Sequence, residues 1–316
     1  MNRKFLVIAV ACLAVTMLAT PLVPTVQARI TEENHYGPPS EGFTEYYGTM
    51  GRANFYVLIP DDWSNPLGDG MLVVICRAAA RFEDPRDCVP DYPFAVGLAM
   101  QGIAVAASNY GPEGSGVEGG VIRTHQLTMY VIDNYDVTGK VFLFGTSLGG
   151  CVALLLGERH PDVYSGVLDN SGVKDFAAMY NDAVSYSGSD LFLLFWYGMV
   201  KALYENDYGG TPEERPNKYA KYSPTHHADI VIPVISVVHV DDAVVNPTQT
   251  DLYHAALSDP SLHVIVEVTM SSGPPYPELP GFPPFSSWYG HFDPYTYMAA
   301  AENLFSLIVW SNELDP

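Results

Sequence analysis

Apolar runs of five to ten residues, separated by turn-rich or amphipathic stretches, recur along most of the chain. Ala53-Asn-Phe-Tyr-Val-Leu-Ile-Pro60 closes a strand pattern that begins near Tyr46, and Met71-Leu-Val-Val-Ile-Cys76 is a continuous apolar run suited to a strand buried on both faces. Tyr92 to Gln101 predicts a helix, Gly102 to Ala107 a buried strand, and Val121 to Tyr135, which is amphipathic, a second helix. Val141 to Phe144 is a strand, and the apolar stretch after Gly149 is a helix stopped near Pro161. Further strands are expected at Tyr164–Asp169, Ile230–His239 and Leu262–Val268, with helices at Gln249–Leu257 and Pro294–Trp310. Strand and helix in this alternation indicate a parallel sheet with crossover helices, an α/β fold.

Two stretches break the rhythm. Residues 29–42 are polar and rich in Gly and Pro, and read as an arm. Val173 to Asp229 is long, aromatic and partly helical (Asp190 to Tyr204), and an insertion of that size between core strands predicts a lid or cap. No internal repeat is present.

The N-terminus has the layout of a secretory signal peptide. Arg3 and Lys4 precede an apolar run from Phe5 to Ala19, and Val26-Gln27-Ala28 offers small residues for cleavage. The domain plan is therefore a signal peptide at 1–28 and one α/β domain at 29–316, with 173–229 inserted. The protein is expected to be secreted, without a stable membrane anchor after cleavage. A net charge of −21 repels nucleic acid and anionic membranes, so neither is an expected partner. Cleavage removes Cys12 and leaves Cys76, Cys88 and Cys151, which allow at most one internal disulfide; Cys76 to Cys88, across a short loop, is the expected pair.

The chemistry centres on Gly145-Thr-Ser147-Leu-Gly149, at the corner between a strand and a helix. A serine between two glycines on such a corner forms a nucleophile elbow, with its hydroxyl pushed out of the fold. The Leu148 amide and the helix N-terminus then point positive charge at an oxyanion forming beside Ser147. Serine needs a base, and the base needs a carboxylate to fix its tautomer. Asp241 and Asp242 follow a core strand, and His291 follows the last one, which gives the chain order serine, acid, histidine. His226 and His227 lack a defined ligand spacing, and no metal or cofactor is expected.

On these residues the chain resembles the α/β-hydrolase superfamily over most of residues 45–310. The resemblance implies a mostly parallel central sheet flanked by helices. Tyr222-Ser-Pro224 through His239-Val-Asp-Asp242-Ala-Val-Val245 is similar to the segment that carries the family's acid; that pattern selects Asp242, with Asp241 the alternative. Arg77-Ala78 stands where the superfamily often has His-Gly, so the second oxyanion donor is expected at the Ala78 amide, with Ala79 the alternative. The implied activity is hydrolysis of carboxylic esters through an acyl-enzyme, with small or polymeric ester substrates of feruloyl or polyester type suggested by the aromatic insertion. A prolyl-oligopeptidase-like peptidase and a non-catalytic binding protein of the same fold are the alternatives.

Overall fold

The protein is described by a computed structural model covering residues 30–35, 42–78, 92–110, 117–269, 291 and 294–314. Nine strands form one sheet among the described residues: β1 (Ile30–His35), β2 (Phe43–Met50), β3 (Ala53–Pro60), β4 (Leu72–Cys76), β5 (Ala104–Ser108), β6 (Val141–Thr146), β7 (Gly166–Asn170), β8 (Val234–His239) and β9 (His263–Val268). Their order is β1-β2-β3-β5-β4-β6-β7-β8-β9. The first three are antiparallel, β3 also runs antiparallel to β5, and β5-β4-β6-β7-β8-β9 are parallel.

Eight α-helices accompany it among the described residues: α1 (Tyr92–Ala99), α2 (Val117–Asn134), α3 (Leu148–Arg159), α4 (Phe176–Ser185), α5 (Leu191–Tyr208), α6 (Pro216–Tyr222), α7 (Thr248–Ala256) and α8 (Pro294–Leu314). Alternation along each strand sends side chains to two cores. Val141 and Leu143 of β6 meet α2 and α3, whereas Phe142 and Phe144 meet Leu98 of α1 and Leu304 and Leu307 of α8. Because both faces are covered, the central strands read as unbroken apolar runs.

The departures from the sequence expectation have local causes. The arm at 29–42 contains β1, which pairs with β2 and extends the sheet. The Tyr46–Pro60 pattern is a hairpin in which Met50 faces Ala53 across a two-residue turn, and Gly51 supplies the positive φ of 65° such a turn requires. Helix α2 starts at Val117 rather than Val121, because Gly119 and Gly120, poor helix formers, mask its first turn. Strand β8 starts at Val234, after Pro233, which has no N–H for a ladder. Segment 173–229 holds three α-helices and a short 3-10 helix at Pro224–His226, and Phe176, Tyr204, Tyr208 and Tyr219 pack against one another in tilted and edge-on pairs. Among the described residues no helix is long and apolar enough to cross a membrane. Residues 1–28, Cys88, Ala79 and the loop at 271–289 lie outside the described residues.

Candidate active site

The parallel strands all deliver their C-terminal ends to one edge, and every candidate residue lies there. Ser147 follows β6, Ala78 follows β4, Asp242 follows β8, and His291 comes after β9. Such an edge is where α/β sheets bind ligands.

Ser147 has φ 56° and ψ −121°, an uncommon conformation for a residue with a side chain. The tightness of the corner explains its glycines. A Cβ at Gly145 would run into the Gly149 carbonyl, and one at Gly149 into the Cys76 carbonyl. Leu148 is the first residue of α3, so its amide has no intrahelical acceptor. Cys76 pairs with Gly145 between β4 and β6, which sets half-buried Ala78 on the strand end next to the elbow.

The histidine and one aspartate are brought together. His291 Nδ1 lies 2.7 Å from Asp242 Oδ2, and both side chains are buried. Asp242 Oδ1 accepts the amides of Val244 at 2.8 Å and Val245 at 2.9 Å, so the carboxylate is held from both ends. Any residue but proline could give those two amides; the valine side chains themselves are buried in the core. Asp241 is exposed, and its amide donates to His239 Nδ1 at 3.1 Å. A crevice lined by Ser171, Gly172, Val238, Val245 and Thr250 reaches Asp242.

Arg77 is committed internally. Its guanidinium donates to the carbonyls of Asn109 at 2.7 Å and Ala78 at 3.1 Å and lies over the Tyr110 ring at 4.5 Å. Cys76 and Cys151 are free, buried thiols, and Cys88, the expected partner of Cys76, lies outside the described residues. Burial pushes both thiols well above the usual range and keeps them protonated. Among the described residues no group of three or more His, Cys, Asp and Glu side chains is arranged to hold a metal ion.

Sequence reasoning missed the turn beside the elbow. Ser147 N–H donates to the Asn170 carbonyl at 3.0 Å, and Val173 N–H donates to the Ser147 carbonyl at 3.2 Å. Beneath that turn Lys174 Nζ lies 2.6 Å from Asp169 Oδ2, with both side chains fully buried. The only sequence signal is a lysine and an aspartate at the ends of an otherwise uncharged segment, Asp169-Asn-Ser-Gly-Val-Lys174.

Sheet order and elbow together define a protein of the α/β-hydrolase fold. Its elbow segment matches a family model described as putative esterase over residues 122–233, a stretch that includes Ser147 but neither Asp242 nor His291. Solved structures share the fold. Acetyl xylan esterase from Paenibacillus sp. R4 is 14% identical with a TM-score of 0.59, over 89% of this chain and 89% of that one. Acetyl xylan esterase 1 from Thermoanaerobacterium sp. JW/SL YS485 is 13% identical with a TM-score of 0.56, over 87% of each chain. A puromycin hydrolase is 17% identical with a TM-score of 0.59 over 89% of this chain, which spans only 39% of the hydrolase. No curated protein matches the sequence.

Proposed function

We propose that the protein is a secreted serine esterase that works through an acyl-enzyme. Ser147 Oγ attacks the ester carbonyl carbon while its proton passes to His291 Nε2. Asp242 accepts the Nδ1–H, which leaves Nε2 as the basic nitrogen and stabilises the imidazolium. The Leu148 and Ala78 amides hold the oxyanion. Collapse of the tetrahedral intermediate breaks the C–O bond, His291 returns the proton to the leaving alcohol, and water repeats the sequence to free the acid.

The observation that carries this reading is the buried 2.7 Å Asp242–His291 pair, at the same sheet edge as a serine held at φ 56°. The esterase model over the elbow supports ester cleavage. Export is supported by the basic start, apolar run and small residues of positions 1–28. Feruloyl-type or polyester substrates draw less support than the composition suggested, because the tyrosines of 173–229 are largely spent on packing one another. Amide cleavage is the second reading, favoured by the fold shared with puromycin hydrolase.

Initial rates on short p-nitrophenyl esters and on peptide anilides, for the wild type and Ser147→Ala, test the reading. Ester turnover that disappears in S147A is expected, whereas faster anilide turnover would select the peptidase. Ester turnover that survives in S147A would remove the serine from the mechanism.

A further inference from the structure

Three residues other than glycine have positive φ among the described residues: Tyr110, Ser147 and Ser171, at 63°, 56° and 50°. They stand just past β5, β6 and β7. Backbone strain of this kind persists only where the surroundings over-determine it. For Ser147 those surroundings are the turn Ser171-Gly-Val173 and the end of β7. That stretch accepts the Ser147 N–H at Asn170 and donates to the Ser147 carbonyl from Val173, and so grips the serine backbone on both sides.

The turn is in turn fixed from beneath by Lys174. Its ammonium donates to the Gly172 carbonyl at 3.0 Å and pairs with Asp169 at 2.6 Å, and its own amide donates to Gln249 Oε1 at 3.0 Å. Asp169 is tied onward: Ser236 Oγ donates to its Oδ2 at 2.8 Å, and His263 Nε2 lies 2.9 Å from Ser236 Oγ. His254 Nδ1 closes the chain, 3.1 Å from His263 Nδ1. Burial first, then the charge of Lys174, holds the His263 pKa down to about 3, so that ring is neutral; because the Ser236 hydroxyl hydrogen is given to Asp169, Ser236 Oγ accepts from the Nε2–H tautomer. Asp169 also leaves no room for larger residues nearby, since a Cβ at Gly150 of α3 or at Gly172 would collide with its Oδ1.

A buried ion pair adds little net stability over apolar packing. Here it spans both walls of the elbow, the first turn of α3 and the β7–α4 turn. We infer that Lys174 and Asp169 are positioning residues for the nucleophile: through Gly172 and Val173 they set the backbone of Ser147 and thereby the aim of its hydroxyl.

This rests on Ser147 being the nucleophile, and labelling of the wild type by a fluorophosphonate probe tests that separately. The inference itself is tested with Lys174→Met and with the double variant D169N/K174M. K174M strands a buried carboxylate, so its thermal midpoint should fall. The double variant removes that charge but keeps an acceptor for Ser236, so its midpoint should recover towards wild type. Both variants should nevertheless label at least about tenfold more slowly, and turn over p-nitrophenyl acetate with lower kcat at similar KM, because displacing reacting groups by an ångström costs up to about 100-fold. A double variant that recovers the wild-type labelling rate along with its midpoint would make the pair a stability element alone and overturn the inference. Failure of wild-type protein to label would instead strike at the serine.

Discussion

At the scale of single residues, the two adjacent aspartates carry a sharp contrast. Asp242 accepts three donors, two of them backbone amides, while Asp241 is exposed to solvent. An aspartate that fixes a histidine tautomer is worth about 10⁴ in kcat when replaced by asparagine. Asp242→Asn should therefore lower kcat on a short ester by about 10³- to 10⁴-fold with little change in melting, whereas Asp241→Asn should stay within about twofold. The reverse order, measured by steady-state kinetics, would transfer the role to Asp241. The sequence pattern had singled out Asp242 by its distance from Val244 and Val245. In the structure the residues at that distance supply the two backbone amides that hold its Oδ1. Lys174 and Asp169 are illegible by the same method because Ser236, which holds the aspartate, and Ser147, which the turn grips, are distant in the chain.

Helices α2 and α3 meet through a pair of imidazoles. His125 stacks on His160 with ring centroids 3.8 Å apart, and its Nδ1 lies 3.3 Å from Tyr164 Oη. Burial, and then the neighbouring His160, bring the His125 pKa down from 6.5 to about 4. A depressed histidine contributes stability that is fully present above pH 6.5 and is lost as pH falls towards 4, because the unfolded chain takes up the proton first. Glu158 works in the opposite direction: burial raises it from 4.5 to about 7, so its contribution is present below 4.5 and lost as pH rises through 7. Comparison with His125→Phe, which keeps an aromatic ring in the stack, isolates the first effect. Between pH 6.5 and 4 the wild-type thermal midpoint should drop more than that of H125F; parallel declines would show that the stack does not titrate as described. Neither histidine was marked by the sequence as more than an ordinary helical residue, since the stack depends on how the helices meet.

For the molecule as a whole, the parallel half of the sheet was legible because strands covered on both faces must be apolar along their length. The antiparallel end was less so. Strand β1 is Ile30-Thr-Glu-Glu-Asn-His35, a polar segment at the edge of the sheet, where no apolar run marks it. The helices of 173–229 were expected as a cover, but their tyrosines form a packed cluster of their own, and composition alone does not tell packed aromatics from pocket walls. The elbow is legible as a strand-to-helix corner because glycine, serine and the flanking apolar runs are local signals. Its union with distant residues depends on the sheet bringing their strand ends to one edge. The central claim is that Ser147 is the nucleophile of that assembly. Intact-protein and peptide mass spectrometry after fluorophosphonate treatment tests it most directly. A single phosphonyl adduct on Ser147, absent from S147A and slowed in D242N, is the predicted result; folded wild-type protein that remains unmodified, or is modified on another residue, would contradict it.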